Sequence, residues 1–465
     1  MTSFYVENFG CRATQADGAA IELQFRERGL TPAKTPAQSE IVVLNTCTVT
    51  AAADQDARAA IRRIRRQNPD CQIVVTGCYA QRAPAEVASL PGVAHVIGNS
   101  HKHQLAEIVF ASRPNNAAGS HTSFVPLTSL TTETQSEIFV SDIFAHTELL
   151  AAPVFEGART GTNGDRTRPN LKVQDGCDNR CSFCVIPSVR GHSRSLPLTG
   201  IISEVNALVE GGYREVVISG INLGRWGRDL DTPLRFERMI HEILDQTNLS
   251  KLRISSVEPM DWSDELIGLI ANSPRIAKHA HVPMQSGSDR VLRAMHRKYR
   301  PWHYRKKVES IRAAMPTAAI GADVMVGFPG ESAADFEETR LLIEQLPLTY
   351  LHVFTYSARP GTPAAGMPNQ VPVHIARERN RILRDLATEK KLAFMKGFVG
   401  KTVQAITLNL CDGKSTEALT DNYLKLRLQG HHQANQWLQA QVQQVADSTL
   451  VAARAADHRP PFTQL

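Results

Sequence analysis

Apolar residues recur along the chain with two periods, one typical of strands and one typical of helices. The points at which the pattern of elements changes divide the chain into regions. In residues 1–111, short apolar runs typical of strands are separated by stretches with the apolar spacing of amphipathic helices. The strand candidates there are SFYVENF, EIVVLN and CQIVVTG. Strands that alternate with helices predict a parallel sheet, so we expect an N-terminal α/β domain.

The remainder of the chain shows three further patterns. Residues 112–165 are rich in Ser, Thr and Gly without sustained periodicity, which predicts a long, partly ordered linker. In residues 166–398 the alternation resumes, with the six strand candidates LKVQ, EVVIS, KLRISSV, HAHVPMQ, IGADVMVG and YLHVFTYS. Six βα units predict a partial TIM-like (β/α)6 barrel, with its ligands at the C-terminal ends of the strands. A charged amphipathic helix over 373–398 ends this region.

The tail, residues 399–465, alternates apolar and polar residues with the period of two that is typical of half-buried strands. Its length and this period predict a small all-β, OB-like barrel. The overall fold class is therefore α/β with a small all-β domain at the C-terminus.

Charge and composition add only weak constraints. The net charge of +6 is spread over 465 residues, so it permits a nucleic-acid partner without requiring one. The sequence has no apolar run long enough to span a bilayer. The N-terminus lacks the basic leader and apolar core of a signal peptide. We therefore expect a cytoplasmic protein without a membrane partner, and a monomer.

Three cysteines are packed into one short segment, GCDNRCSFC, directly after the first strand of the predicted barrel. Cys177, Cys181 and Cys184 are close enough in sequence to reach one centre. A structural zinc ion normally takes four ligands, and the nearest histidine, His192, lies beyond a proline and a predicted turn. Three thiolates suit a [4Fe-4S] cluster whose fourth iron keeps an open coordination position.

A second set of cysteines is dispersed in sequence, but each of them has the same position relative to a predicted strand. Cys11, Cys47 and Cys78 each stand directly after a predicted parallel strand. The carboxyl ends of parallel strands meet at one edge of a sheet, so these positions predict a second three-cysteine cluster. Cys71 precedes its strand and is expected at the opposite edge. We expect neither Cys71 nor Cys411 to be a ligand.

These motifs resemble a known family over essentially the full chain. The C-x3-C-x2-C loop resembles the radical S-adenosylmethionine (SAM) superfamily. The phrases NTCTVT, VVTGCYAQ, LKVQDGC, HVPMQSGSDRVLRAM and VGFPGE are similar to those of its methylthiotransferases. The resemblance implies a cluster domain over 1–111, a radical SAM domain over 166–398 and an RNA-binding TRAM domain over 399–465.

The resemblance also implies cofactors and their contacts. It implies two [4Fe-4S] clusters, one that binds SAM and generates a radical and one that carries the sulfur to be transferred. Contacts to SAM are expected at the ends of the later barrel strands, where glycine lets the backbone approach a ligand closely. The expected contacts are Gly220, Asn222, Ser256, Glu258, Gln285, Ser286, Gly327 and Gly330.

The substrate is the point at which members of this family differ. Two subfamilies modify C2 of an adenosine at tRNA position 37 that carries threonylcarbamoyl or isopentenyl on N6, and a third modifies an aspartate of a ribosomal protein. The residues TVT after Cys47 resemble the threonylcarbamoyladenosine enzymes. We thus expect a tRNA anticodon stem-loop, an external low-potential electron donor and a sulfur source as partners. A two-cluster electron-transfer protein and a zinc-dependent RNA-binding protein are the alternatives from other classes.

Basic residues give modest support to RNA binding. One group lies on a predicted N-terminal helix: Arg58, Arg62, Arg63, Arg65 and Arg66. A second group precedes the cysteine loop: Arg166, Arg168 and Lys172. In the tail, Lys425 and Arg427 alternate with leucines and are expected to face outwards. Such groups could neutralise phosphates, although a solvated helix face explains a run of charges equally well.

Overall fold

The structure is a computed structural model that describes residues 2–111, 136–146, 167–411 and 413–455. Its first sheet has six parallel strands in the order β2-β1-β3-β4-β5-β6. The strands are β1 (Ser3–Asn8), β2 (Thr31–Pro32), β3 (Ile41–Thr46), β4 (Gln72–Gly77), β5 (Val93–Ile97) and β6 (Glu137–Phe139). The helices of this domain are α1 (Arg12–Glu27), α2 (Ala51–Gln67), α3 (Cys78–Arg82), α4 (Pro84–Ala88) and α5 (Leu105–Ala111).

The expected N-terminal α/β domain is confirmed. Its central strand, β3, shows why the apolar pattern of the sequence predicted a strand there. All six residues of β3 are buried, because helices cover both faces of the sheet, and such a strand reads as a continuous apolar run. Helix α2 begins after Thr50, whose hydroxyl accepts a hydrogen bond from the Ala53 amide at 3.2 Å, a normal N-cap. The short strands β2 and β5 were not predicted.

Part of the range predicted as a linker belongs to this sheet. Strand β6 pairs in parallel with β5 and lies in the described segment 136–146. A strand of three residues is too short to leave a periodic signal in a sequence. The rest of the range 112–165 lies outside the described residues.

The second domain is a partial barrel made of two arcs. Its strands are β7 (Asn170–Asp175), β8 (Arg194–Ser195), β9 (Glu215–Gly220), β10 (Lys251–Ile254), β11 (His279–His281), β12 (Ala319–Val326) and β13 (Tyr350–Thr355). The arcs have the orders β10-β9-β7-β8 and β11-β12-β13. Isolated parallel bridges join β10 to the second arc, among them the pair Ser256 and His281. All six predicted strands are present, and β8 is an additional short antiparallel edge strand.

Helices cover the outside of the barrel. They are α6 (Ile186–Arg190), α7 (Leu198–Glu210), α8 (Phe236–Gln246), α9 (Asp264–Asn272), α10 (Asp289–Ala294), α11 (Pro301–Ala314), α12 (Ala333–Gln345) and α13 (Val373–Lys396). One continuous apolar core lies between these helices and the strands and includes the buried Trp226 and Trp262. Among the described residues, no helix is both long and apolar enough to cross a bilayer.

The tail forms a closed five-stranded barrel in the order β14-β15-β16-β18-β17. Its strands are β14 (Thr402–Cys411), β15 (Ser415–Thr420), β16 (Lys425–Gln429), β17 (Trp437–Ala446) and β18 (Thr449–Arg454). Leu426 and Leu428 are buried, whereas Lys425 and Arg427 are exposed. The predicted alternation and the predicted all-β domain are both confirmed.

A network of buried charges joins the N-terminal domain to the barrel. Asp17 of α1 accepts hydrogen bonds from Lys102 and Arg190, both at 3.0 Å, and from Lys172. Lys172 and Arg190 also bind Asp175, at 2.8 and 2.9 Å. Burial alone would raise the pKa of Asp17, but the three cations outweigh it and hold the pKa well below its usual range.

This network corrects one expectation from the sequence. Lys172 was expected among the phosphate-binding residues, yet it is fully buried and bound to two carboxylates. The basic residues next to it in sequence suggested a surface position. Its burial depends on Asp17, which is 155 residues away in sequence and so could not be recognised as its partner. Lys172 is therefore part of the domain interface and not a phosphate contact.

We expect Asp17→Ala to destabilise the protein strongly. Removing one partner of a buried ion pair leaves uncompensated charge and typically costs about 3–5 kcal/mol. Urea denaturation followed by tryptophan fluorescence measures the change. Glu378→Ala is the matched control, because Glu378 pairs with Arg381 on the exposed side of α13 and should leave the midpoint unchanged. Equal midpoints for both variants would contradict the proposed role of the network.

Candidate functional site

Three cysteines meet at one edge of the N-terminal sheet, and we call them the sheet-edge thiols: Cys11, Cys47 and Cys78. They follow β1, β3 and β4, which are neighbours in the sheet. Gly10 has a φ of +100°, and a Cβ there would stand 2.9 Å from Cys47 Sγ. Glycine thus lets the loop that carries Cys11 cross closely over Cys47.

Burial and the proximity of other thiols affect the pKa values of the sheet-edge thiols. Burial, and next the neighbouring Cys78 thiol, raise the pKa of Cys47 to about 12. Cys71 immediately precedes β4, at the opposite edge of the sheet. Cys411 is exposed at the end of β14. The strand positions inferred from the sequence therefore match the structure for Cys11, Cys47, Cys71 and Cys78.

The second set lies in the loop after β7, and we call it the loop thiols: Cys177, Cys181 and Cys184. The Asn222 amide donates to Cys177 Sγ at 3.7 Å, and the backbone amide of Asn179 donates to it at 3.4 Å. Burial raises the pKa of Cys177 to about 11 and that of Cys184 to about 12. Neighbouring thiols contribute to both of these raised pKa values, as expected for one compact group.

The thiol spacing argues against a single metal ion. In the described part of the chain, one group of His, Cys, Asp or Glu ligand atoms lies mutually within 4.8 Å, and it is His281, Asp323 and His352. Neither set of three thiols is that tightly gathered. Tetrahedral zinc with its usual Zn–S bonds would hold sulfurs about 3.8 Å apart. The wider spacing fits a multi-iron cluster held by three thiolates.

The barrel end beside the loop thiols offers groups for a bound ligand. Asn222 Oδ1 is buried and has no hydrogen-bond partner within the part of the chain that the structure describes, so it is an acceptor suited to an amino group. Its loop is fixed by Gln174 Oε1, which accepts from the backbone N–H of Asn222 at 2.7 Å. Gly220 is needed here, because a Cβ would come 2.9 Å from that same Gln174 oxygen.

Arg297 is a site residue that the sequence did not reveal. It donates to Cys181 Sγ at 3.2 Å and hydrogen-bonds the Glu258 carboxylate, in a cleft that Met260 and Tyr299 also line. Burial raises the pKa of Glu258 above its ordinary value, and Arg297 opposes the rise. In sequence Arg297 belongs to the run HRKYR, which looks like any exposed basic segment.

The other predicted SAM contacts are dispersed. Ser256 pairs with His281 in the bridge between the arcs. Gln285 adopts a φ of +60° in the loop after β11, four residues beyond its end. Ser286 is buried and hydrogen-bonded to Thr339 at 3.3 Å. These positions surround the barrel mouth, but none of these three residues lines the cleft with Cys181.

Two predicted glycines have packing roles in the structure. Gly327 has a φ of +76°, and a Cβ there would stand 2.6 Å from Ala376 Cβ on α13. Gly330 has a φ of +77° and donates its amide to Asn369 O at 2.8 Å. Contacts from these glycines to SAM stay predictions.

Helix α6 connects the two sets of thiols. It begins two residues after Cys184, and Val189 on it packs against Cys78 in a buried cluster. Asn99 reinforces the contact, since its amide donates to Val189 O at 2.7 Å and to Cys78 Sγ at 3.6 Å. This one short helix therefore follows the loop thiols in the chain and packs against a sheet-edge thiol.

The basic residues of α2 are only partly available to a partner. Arg58 pairs with Glu86 at 2.5 Å and Arg63 with Glu7 at 2.7 Å. The other three arginines of the group are exposed: Arg62, Arg65 and Arg66. In the second group, Arg168 is 3.5 Å from the buried Glu215, and Arg166 lies outside the described residues.

Comparisons with known proteins agree with this architecture. A model described as uncharacterized protein family UPF0004 matches residues 3–98, and the radical SAM superfamily model matches residues 171–343. The methyltransferase TsrM from Kitasatospora setae, a radical SAM enzyme, has a similar fold, with a TM-score of 0.52 and 15% identity over 78% of this chain and 77% of that one.

Relatives of similar length are considerably closer in sequence. The threonylcarbamoyladenosine tRNA methylthiotransferase MtaB of Aquifex aeolicus is 34% identical over 91% of this chain and 96% of its own. The MtaB of Rickettsia prowazekii is 36% identical over 91% and 90%. The tRNA-2-methylthio-N(6)-dimethylallyladenosine synthase of Novosphingobium aromaticivorans is 33% identical over 87% and 86%. With both domain models matched and this identity over almost its whole length, the chain belongs to the radical SAM methylthiotransferase family.

Proposed function

We propose that this enzyme transfers a methylthio group to C2 of N6-threonylcarbamoyladenosine at position 37 of tRNA. The main support is the pair of three-thiol sets, linked through α6, in a chain of this family. The motif TVT after Cys47 favours the threonylcarbamoyl substrate. Four of the relatives, at 32–36% identity, bear the name of that modified nucleoside.

The two sets of thiols have different proposed roles. Members of the family use two [4Fe-4S] clusters and SAM; when bound, these supply a 5′-deoxyadenosyl radical and the sulfur that is transferred. We assign the loop thiols to the cluster that binds SAM and the sheet-edge thiols to the auxiliary cluster. Asn222 would accept a hydrogen bond from the SAM amino group, while Arg297 would fix Cys181 and Glu258 at the cleft.

A second candidate substrate has a specific observation in its favour. Relatives named as dimethylallyladenosine synthases are almost as similar, at 32–33% identity, so isopentenyladenosine is the alternative to test. Methylthiolation of a ribosomal-protein aspartate lacks such support among these relatives. An electron-transfer protein would need neither a (β/α) barrel nor an open coordination position on its cluster.

The proposed partners follow from this chemistry. The anticodon stem-loop would contact the outward Lys425 and Arg427 of the tail barrel and the exposed arginines of α2, through salt-sensitive phosphate interactions. A low-potential electron donor and a sulfur source complete the reaction. We propose that the protein works in the cytoplasm, where its tRNA substrate is found, and as a monomer.

Nucleoside analysis tests the substrate directly. Cells that lack this protein should lose 2-methylthio-threonylcarbamoyladenosine from their tRNA and retain threonylcarbamoyladenosine. Liquid chromatography with mass spectrometry of digested tRNA measures both. Loss of the 2-methylthio-isopentenyl nucleoside instead would assign the protein to the sister substrate, and an unchanged profile would contradict both.

Cysteine variants separate the two clusters. Cys181→Ala should abolish 5′-deoxyadenosine formation, because the SAM-binding cluster loses a ligand. Cys78→Ala should retain SAM cleavage but stop methylthiolation and lower the iron content by about half. Cys71→Ala is the control and should retain both clusters. Retained SAM cleavage in Cys181→Ala, or loss of a cluster in Cys71→Ala, would refute the assignment.

Arg297→Met tests the residue that the structure adds to the site. Loss of the N–H group at Cys181 Sγ and of the partner of Glu258 should slow SAM cleavage by about 10- to 100-fold, as for other residues that orient metal ligands. Arg293→Met is a matched control, because Arg293 is exposed and binds only Asp289 on its own helix. Cleavage rates are measured as 5′-deoxyadenosine formed by the reduced enzyme. Equal cleavage rates for the two variants would show that Arg297 has no role in SAM cleavage.

A further inference from the structure

The inner face of the barrel carries a polar cluster that none of the roles above employs. Asp323 of β12 lies between two imidazoles, with its Oδ1 3.3 Å from His281 Nε2 and 3.2 Å from His352 Nδ1. Asp323 and His352 are direct partners in the register of β12 and β13. Because side chains alternate along a strand and Val324 is buried among the outer core residues, Asp323 points into the barrel.

The cluster is accessible from one side. The His352 side chain is 54% exposed, although it projects from the inner face of β13. Phe354, two residues further on the same face, is 45% exposed. The interior of a closed (β/α) barrel is normally filled by side chains, so an exposed histidine and phenylalanine on the inner face of β13 mark a part of this incomplete barrel that is open to a ligand.

One atom of the cluster lacks a hydrogen bond. His281 is buried, and its Nε2 has no partner with hydrogen-bond geometry among the described residues. Burial alone would raise the pKa of Asp323, but the two imidazoles hold it below its usual range, so the group presents a carboxylate and two imidazoles to a ligand.

The position of the cluster relates it to the reaction. His281 pairs with Ser256, two residues before Glu258 of the SAM cleft. The chain beyond β13 contacts the N-terminal domain, where Ser357 Oγ accepts from the Ala51 amide at 3.0 Å and Arg359 donates to Thr48 O at 3.1 Å. The cluster thus lies between the SAM cleft and the segment that follows Cys47.

We propose that His281, Asp323 and His352 bind the threonylcarbamoyl substituent of the substrate adenine, an inference that rests on the proposed function. We further assign to His352 the specificity for this substituent. This substituent has a carboxylate, a hydroxyl and urea-type N–H and C=O groups. Asp323 accepts from His352 Nδ1. The half-exposed ring also carries Nε2, which gives a ligand a second polar atom. An isopentenyl group offers no hydrogen bond and would leave these polar groups unpaired, which sites of this type discriminate against strongly.

Steady-state kinetics of the reconstituted full-length enzyme test this role. For tRNA that carries threonylcarbamoyladenosine, His352→Leu should raise KM by about tenfold or more while kcat changes less. His352→Gln retains hydrogen-bonding capacity and should recover most of the affinity. His374→Leu is the matched control, because His374 is exposed in the first turn of α13 and does not belong to a barrel strand. Asp323→Asn, a second variant of similar shape, should shift KM in the same direction.

The same assays on tRNA with isopentenyladenosine separate the two proposals. Loss of preference for the threonylcarbamoyl substrate in His352→Leu, by about tenfold in the ratio of kcat/KM values, supports the inference. A wild-type enzyme active on threonylcarbamoyl tRNA with an unchanged KM in both His352→Leu and Asp323→Asn would overturn the inference alone. A wild-type enzyme inactive on that tRNA would overturn the proposed function as well. A divalent metal that is bound stoichiometrically beyond the clusters and lost in His352→Leu would show that the cluster is a metal site instead.

Discussion

The buried charges between the N-terminal domain and the barrel determine how the two sets of thiols meet. Charges are costly to bury unless each one is paired and hydrogen-bonded, and Asp17 and Asp175 provide those pairs for Lys102, Lys172 and Arg190. The cations outnumber the carboxylates by one. Arg190 also faces the Cys78 and Cys11 thiols, so the excess positive charge lies where thiolate ligands would be negative.

The same short segment serves both clusters. Within residues 184–190 the chain carries a loop thiol, the valine that packs on Cys78 and the arginine that binds Asp17. A displacement of this segment would therefore disturb the proposed SAM-binding cluster, the proposed auxiliary cluster and the domain interface together. Rigid coupling of this kind suits a reaction in which a substrate must be held between two reactive centres.

Local patterns made the fold class and both cysteine sets predictable. A strand buried on both faces, such as β3, has a recognisable sequence, and a cysteine directly after such a strand can be placed at a sheet edge without any tertiary information. Arg297 and Asp17 could not be found in this way, because their partners Cys181 and Arg190 are 116 and 173 residues away. Lys172 was misassigned for the same reason. What identifies these residues is their burial and pairing, which a run of basic letters does not show.

The incomplete barrel explains why there is room for a substrate. In a closed eight-stranded barrel, side chains from all strands fill the interior, whereas here the first and last strands of the barrel, β7 and β13, do not pair with each other. The N-terminal domain touches both sides of this opening, since Asn170 of β7 donates to Arg12 O at 2.7 Å and Ser357, just beyond β13, binds the Ala51 amide. The domain that carries the sheet-edge thiols thus stands where further strands would close the barrel. The inner face of β13, with the exposed His352 and Phe354, consequently lies at this opening, where we propose that the substrate binds.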